Sequence, residues 1–134
     1  MTNTIPTRGQ LERSLSQRIQ AFYRQHLGHQ PSKVSCQLFD DKVVVIIENS
    51  LTRAEQLLAR EGQDNLVEQV RSSLGEAIEP QLKELIEEIL KVNVTDLLSD
   101  ATLETGRTGT IAVLAETPQT RNSTSNSKPK RKGD

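Results

Sequence analysis

The chain has 134 residues, a formal net charge of −1, one cysteine, one tyrosine, two phenylalanines and no tryptophan. This length predicts one domain, whose core must be built from aliphatic side chains. So few aromatic residues exclude the stacking platforms that usually bind single-stranded nucleic acids. A single cysteine excludes an internal disulfide and fits a reducing compartment.

Hydropathy along the chain gives no sign of export or membrane insertion. Residues 1–10 contain no apolar run, so we expect no signal peptide. No stretch approaches the roughly 18 consecutive apolar residues that a membrane-spanning helix needs. These patterns predict a cytoplasmic protein.

The first regular element is an amphipathic helix. Apolar residues recur every three or four positions between Leu11 and Tyr23, with polar residues between them. This spacing predicts a helix from about Gln10 to Leu27. Gly28 is suited to the left-handed conformation that ends many helices.

Two strands follow, in a hairpin. Residues 34–39 partly alternate between polar and apolar, which is typical of a half-buried strand. Residues 43–47 are all Val or Ile, as expected for a strand covered on both faces. Asp40 and Asp41 form the turn between them.

A short helix and a long helix come next. Thr52 and Glu55 have the spacing of a capping box and predict a helix start. Asp64 can cap a second start, and helical apolar spacing continues from there to Leu90. Pro80 lies inside this run and predicts either a kink or two abutting helices. The apolar stripe crosses Pro80 unbroken, which favours the kink.

A second hairpin is predicted from residues 93–98 and 110–115, with a turn over residues 104–107. The expected fold is α+β, with a four-stranded, mostly antiparallel sheet in two hairpins, an N-terminal helix and a long kinked central helix. Two strands apolar on both faces need cover on both sides. Either the two helices take opposite faces, or a second subunit covers one face and makes a homodimer.

Composition divides the chain into three segments. Residues 8–117 form the predicted single domain, and residues 1–7 form a flexible N-terminus. Residues 118–134 contain no large apolar side chain, which predicts a disordered tail. This tail is basic and suits either a solubilising role or weak contact with nucleic acid or an anionic membrane. The residues for that contact are Lys128, Lys130, Arg131 and Lys132.

Residues with catalytic or metal-binding chemistry are few and scattered. His26 and His29 have no cysteine or carboxylate beside them to complete a tetrahedral metal site, and a histidine near a helix C-terminus favours the helix dipole. Cys36 lies in a predicted strand, where a buried thiol is inert. No glycine-rich phosphate loop or nucleophile elbow occurs. We therefore expect no metal site, no cofactor and no enzyme activity.

Carboxylates are plentiful, but most lie off the apolar stripes. Asp96 and Asp100 are predicted at the flank of the second hairpin, and residues 107–109 are predicted as a turn. An enzyme or ligand-binding function would require Asp96, Asp100, Arg107 or His29 to converge in one pocket.

The order of these features resembles the bacterial MpsC-like family of small proteins over about residues 10–116. The resemblance lies in caps, turns and strand cores, so it implies a fold and specifies no chemistry. Its matching stretches are Gly28 and Pro31, residues 41–48, residues 51–55, the long helix with Leu82, Leu85, Ile86 and Glu87, Val92 to Val94, Ser99 with Asp100, and Thr105 with Gly106.

The resemblance implies an association with a membrane-potential-generating system linked to sodium or inorganic-carbon uptake. We therefore expect a non-enzymatic accessory or regulatory protein that acts through contacts with itself or another protein. The alternative is a nucleic-acid-associated protein that uses its basic tail.

Overall fold

The computed structural model describes residues 5–121 of the chain. It has the predicted α+β fold, with three helices and a four-stranded antiparallel sheet. The helices are α1 (Arg8–Leu27), α2 (Arg53–Arg60) and α3 (Asp64–Leu90), and the strands are β1 (Lys33–Phe39), β2 (Lys42–Glu48), β3 (Val94–Thr102) and β4 (Arg107–Leu114).

Helix α1 begins two residues before the predicted start because Thr7 caps it. The Thr7 hydroxyl accepts a hydrogen bond from the Gln10 amide at 3.1 Å, and the Gln10 side chain accepts one from the Thr7 amide at 2.9 Å. Gly28 ends the helix at φ 66°, as predicted. The side chains of the predicted apolar stripe are buried.

The two predicted hairpins form one sheet in the order β1-β2-β4-β3. Helices α1 and α3 pack against the same face of this sheet, in one core that includes Val43, Val45 and Ile47 of β2. The hypothesis that the helices take opposite faces is therefore wrong. Helices therefore cover only one face of β2. Val44 and Ile46 lie on the other face, where Val44 is half-buried and Ile46 is 36% exposed.

We call the helix-covered face of the sheet the inner face and the opposite face the outer face. Strand alternation and the cross-strand register assign each residue to one of them. The outer face consists of Lys33, Ser35, Gln37 and Phe39 on β1, Lys42, Val44, Ile46 and Glu48 on β2, Arg107, Gly109, Ile111 and Val113 on β4, and Asp96, Leu98, Asp100 and Thr102 on β3.

A bulge at Thr95 interrupts the alternation of β3. Val94 pairs with Leu114, but Asp96 already pairs with Val113. The extra residue turns Asp96 to the outer face and leaves Leu97 packed against the core. Without the bulge, strict alternation would bring the Asp96 carboxylate inward.

Helix α3 is continuous from residue 64 to residue 90 with Pro80 inside it, so the alternative of two abutting helices is wrong. Asp64 is its first helical residue, and Gln63 precedes it without a side-chain cap. The prediction that Asp64 caps the helix is therefore also wrong. Lys91 ends the helix at φ 64°.

The second hairpin is longer than predicted. Strand β3 continues to Thr102, and β4 begins at Arg107, so the tight turn occupies residues 103–106. The prediction that residues 107–109 form only a turn is wrong, because they open β4. Asp96 and Asp100 correspondingly lie within β3 and not at the flank of the hairpin.

Candidate functional site

A buried polar cluster lies on the inner face of the sheet, beside the N-terminal half of α3. We call it the Arg71 cluster, and it consists of Ser50, Glu55, Arg71 and Thr108. Arg71 donates from Nη2 to the Thr108 hydroxyl at 3.0 Å and to the Ser50 hydroxyl at 3.1 Å. Its Nη1 lies 3.5 Å from Glu55 Oε2. One guanidinium thus joins the loop after β2, helix α2 and strand β4.

Glu55 is held in place by the start of its own helix. Its Oε1 accepts hydrogen bonds from the Thr52 amide at 2.8 Å and the Thr52 hydroxyl at 2.9 Å. The side chain is only 1% exposed, and Oε2 remains for Arg71. The capping box predicted for α2 therefore also positions a buried carboxylate. A carboxylate at this depth needs both the ion pair and the hydrogen bonds.

Ser50 ties the loop after β2 to the turn between β3 and β4. Its amide donates to the Gly106 carbonyl at 2.8 Å, and its hydroxyl donates to the same carbonyl at 2.9 Å. The Ser50 hydroxyl also lies 2.7 Å from the Thr108 hydroxyl. Gly106 adopts φ 73°, which a side chain would disfavour. The cluster thus depends on the shape of this turn.

A cavity of about 600 Å³ opens beside the cluster, between α3 and the β3 end of the sheet. Buried hydroxyl groups line its polar side, and aliphatic side chains of α3 and β3 line the rest. Ser99 and Thr110 add a second hydroxyl pair at 2.8 Å. A concave site with apolar walls and a few convergent polar groups is the usual form of a ligand pocket.

Tyr23, from the last turns of α1, also lines this cavity. Its side chain is buried, and no residue between positions 5 and 121 forms a hydrogen bond with its hydroxyl. Burial raises the pKa of Tyr23 above its ordinary value of 10.0, although the nearby positive charge of Arg71 partly opposes the rise. Tyr23 is therefore a neutral phenol at physiological pH.

The outer face of the sheet is the second candidate site. Its central row runs across β2, β4 and β3 through Val44, Ile111 and Leu98. Leu98 is 58% exposed and Ile111 is 42% exposed, and neither residue belongs to the core beneath the helices. Phe39 extends this apolar surface at the β1 edge.

The residues singled out from the sequence for a pocket do not converge. Asp100 lines the mouth of the cavity, but Asp96, Arg107 and His29 are not among its lining residues. Arg107 forms an ion pair with Glu48 at 2.7 Å on the outer face. The His29 ring lies 2.8 Å from the Asn49 carbonyl in the loop region at the ends of β1 and β2.

The remaining candidates lie apart from the cavity. The ring of His26 contacts the Phe22 carbonyl at 3.1 Å. In the described part of the chain, no three residues of the metal-binding types form a group that could hold an ion. Cys36 is half-buried in β1, and burial raises the pKa of its thiol. The four basic tail residues Lys128, Lys130, Arg131 and Lys132 lie outside the described residues, and their contact with an anionic partner stays a prediction.

Sequence reasoning missed Ser50, Arg71 and Thr108. The available signal was the inward alternation of β4, which brings Thr108 and Thr110 to positions where a strand on a core would normally carry apolar residues. Polar residues at such positions often mark a functional site. The signal was lost because β4 was predicted to begin at residue 110.

Comparison with known proteins identifies the family. A family model described as "Na+-translocating membrane potential-generating system (MpsC)" matches residues 7–116. The chain belongs to the MpsC family. The match covers α1 to β4, so it includes both the Arg71 cluster and the outer face. No curated protein and no solved structure is significantly similar to the chain.

Membership of the MpsC family associates the chain by name with a sodium-translocating membrane system. Across residues 5–121, none of the three helices combines the length and apolar character needed to cross a bilayer.

Proposed function

We propose that this MpsC-family protein is a non-enzymatic accessory component that acts through protein–protein contacts, with the outer face of the sheet as its contact surface. The supporting observation is the exposed apolar row of Val44, Ile111 and Leu98, extended by Ile46. Contiguous apolar surface on a sheet face is a common mark of an interaction site.

The occupant of this face is a second copy of the chain. Charges of opposite sign lie on its two sides, with Lys33 and Lys42 on the β1–β2 side and Asp96 and Asp100 on β3. The other two charges of the face, Glu48 and Arg107, are paired with each other. A two-fold axis parallel to the strands lays the β3 edge of each copy over the β1 edge of its partner. This arrangement brings opposite charges together. An axis across the strands would lay β3 on β3 and set aspartate against aspartate.

The register supports this arrangement. Asp96 shares its row with Val113 and with Lys42 of β2. A two-fold rotation about an axis parallel to the strands keeps each residue at the same height along the strands. Asp96 of one copy therefore lies close to Lys42 of the other. Lys42 also pairs with Asp41 beside it at 2.6 Å, which places its ammonium at the rim of the face.

The size of the face sets the strength of the contact. Four strands of seven to nine residues offer about 450 Å² in each copy, from the spacing of strands and residues in a sheet. Two copies then bury about 900 Å², close to the ~1,000 Å² that a specific interface needs. We therefore expect a reversible dimer that dissociates on dilution.

The family description supports a role beside a sodium-translocating membrane system. Our proposal extends this role to a system for the uptake of ions or inorganic carbon. In this role the protein would regulate or assemble the system without carrying the ion itself. The absence of enzyme activity is part of the proposal.

Two charge variants test the contact surface. In the proposed dimer, Asp96→Lys with Asp100→Lys sets lysine against lysine, and Lys33→Glu with Lys42→Glu sets glutamate against aspartate. Each variant alone should sediment as a monomer at concentrations where the natural chain is a dimer. An equimolar mixture should restore the dimer, because both edges then meet opposite charges.

Failure of the mixture to associate, or dimerisation of each variant alone, would contradict the parallel arrangement. The accessory role is tested separately in cells that lack the native protein. Deletion should change the membrane potential, and the natural chain should restore it while the Asp96→Lys, Asp100→Lys variant should not. An unchanged membrane potential after deletion would contradict the role, even if the dimer exists.

A further inference from the structure

The cavity beside Tyr23 is large enough to receive a small organic molecule. Its volume of about 600 Å³ falls in the range of roughly 300–1,000 Å³ that ligand pockets occupy. Leu74 and Ile78 of α3 and Leu97 and Leu103 of the second hairpin form its apolar walls. These walls would enclose an aliphatic body.

The Tyr23 hydroxyl provides an unused polar group in this apolar setting. The residue is 5% exposed, and its hydroxyl has no hydrogen-bond partner among residues 5–121. Its neighbour Phe22 is equally buried and carries no hydroxyl. Buried hydroxyl groups are normally paired, so the Tyr23 hydroxyl is available to a molecule that enters the cavity.

The charged residues around the cavity determine whether it favours a positively or a negatively charged ligand. Glu68, Glu76, Glu79 and Asp100 are exposed around its mouth. Arg71 is the only basic residue among the described residues that line it. Its guanidinium already contacts Glu55, Ser50 and Thr108, so it does not offer a free charge to an anion. The mouth therefore attracts cations and repels anions.

We propose that this cavity binds a small organic monocation with an aliphatic body, of the alkylammonium class. The aliphatic body lies along the leucines of α3 and β3, and the ammonium group lies toward the acidic mouth. The Tyr23 hydroxyl forms a hydrogen bond with a water molecule bound beside the ligand. This site shares Asp100 with the outer-face contact, but its walls are residues of the inner face and α3.

Three probes with six carbon atoms each and different head groups test the charge selection. They are hexylammonium, 1-hexanol and hexanoate, added to the full chain at neutral pH. Tyr23 is the only tyrosine and the chain has no tryptophan, so intrinsic fluorescence reports on the cavity alone. Hexylammonium should bind at least tenfold more tightly than hexanoate, with 1-hexanol between them. Equal affinity for the two ions, or no change in fluorescence with any probe, would overturn the proposal.

Gly75 offers a way to narrow the cavity. It lines the cavity from α3, and a Cβ atom added at this position would have no neighbouring atom within 4 Å. Gly75→Leu should narrow the cavity and weaken hexylammonium binding. The fold should survive, because leucine suits a helix better than glycine. Gly9→Leu is the matched control, since Gly9 lies in α1, has equally open surroundings and does not line the cavity.

Two further variants separate binding from folding. Glu76→Gln with Glu79→Gln should weaken hexylammonium binding several-fold and leave 1-hexanol unchanged. Tyr23→Phe removes the only tyrosine, so binding to this variant is measured by NMR of the Ile78 methyl groups. The variant should bind hexylammonium more weakly, and its unfolding temperature should not fall. Unchanged binding in Gly75→Leu, or unchanged selectivity in the Glu76→Gln, Glu79→Gln variant, would show that the probe binds elsewhere and would overturn the proposal.

Discussion

The two faces of the sheet differ most clearly at two neighbouring isoleucines of β2. Ile47 is 1% exposed and packs among α1, α3 and the inner residues of the sheet, whereas Ile46 is 36% exposed on the outer face. Both have the same chemistry and the same strand. Their difference shows that the helices determine which apolar residues form the core, and that the other face remains available for a partner.

The largest expected effect is the loss of stability when the inner isoleucine is shortened. Ile47→Ala should lower the free energy of unfolding by about 3 kcal/mol, because it removes buried methylene groups and leaves a cavity. Ile46→Ala should cost below about 1 kcal/mol in dilute solution, where the outer face meets water. Urea unfolding of the two variants gives both values. Equal losses would show that the outer face is covered within the chain.

A smaller effect is expected at the polar end of the inner face. Glu55→Gln keeps a capping side chain on α2 but leaves Arg71 without its buried carboxylate. Removing one partner of a fully buried pair costs about 3–5 kcal/mol, and because the Arg71 side chain is 16% exposed we expect about 2 kcal/mol after solvent screening.

The control is Glu48→Gln, which breaks the exposed ion pair with Arg107 on the outer face. It should change the free energy of unfolding by below about 1 kcal/mol. If urea unfolding gave similar losses for Glu55→Gln and Glu48→Gln, the Arg71 cluster would not be a buried network.

The smallest effect is a pH dependence from Tyr23. Its pKa is raised in the folded state, so the fold binds this proton more tightly than the unfolded chain does. Its contribution to stability should be complete below pH 10.0 and should be lost as the pH rises through the folded-state pKa.

An absorbance titration near the phenolate band measures this directly, since the chain has one tyrosine. The folded chain should ionise at higher pH than the same chain in concentrated urea. Identical titration curves would mean that water reaches the Tyr23 hydroxyl freely.

Periodicity predicted the elements of this fold well, because each apolar stripe is local in sequence. The α1 stripe from Leu11 to Tyr23, the capping box at Thr52 and the continuity of α3 are all present in the structure. The face covered on β2 could not be predicted, because residues 43–47 are uniformly β-branched and carry no alternation. The bulge at Thr95 was equally hidden, since a single extra residue leaves no pattern of its own.

The candidate sites were harder to predict than the fold. Ser50, Arg71 and Thr108 are separated by 21 to 58 residues along the chain and meet only in the folded structure. Asp96 and Asp100 were noticed for their carboxylates, but the structure gives them positions along the acidic edge of the outer face. The residues around Asp96 and Asp100 in the sequence do not reveal which face of the sheet the two carboxylates occupy.

The most direct test is the mass of the natural chain by sedimentation velocity over a range of concentrations, beside two matched variants. Ile111→Glu adds a charge to the outer face, and Leu66→Glu adds one to α3 at a residue of similar exposure, 40% against 42%. We predict that the natural chain and the Leu66→Glu variant form a dimer that dissociates on dilution, while Ile111→Glu is a monomer throughout. A natural chain that stays monomeric at every concentration, or an Ile111→Glu variant that still dimerises, would contradict the pairing of two outer faces.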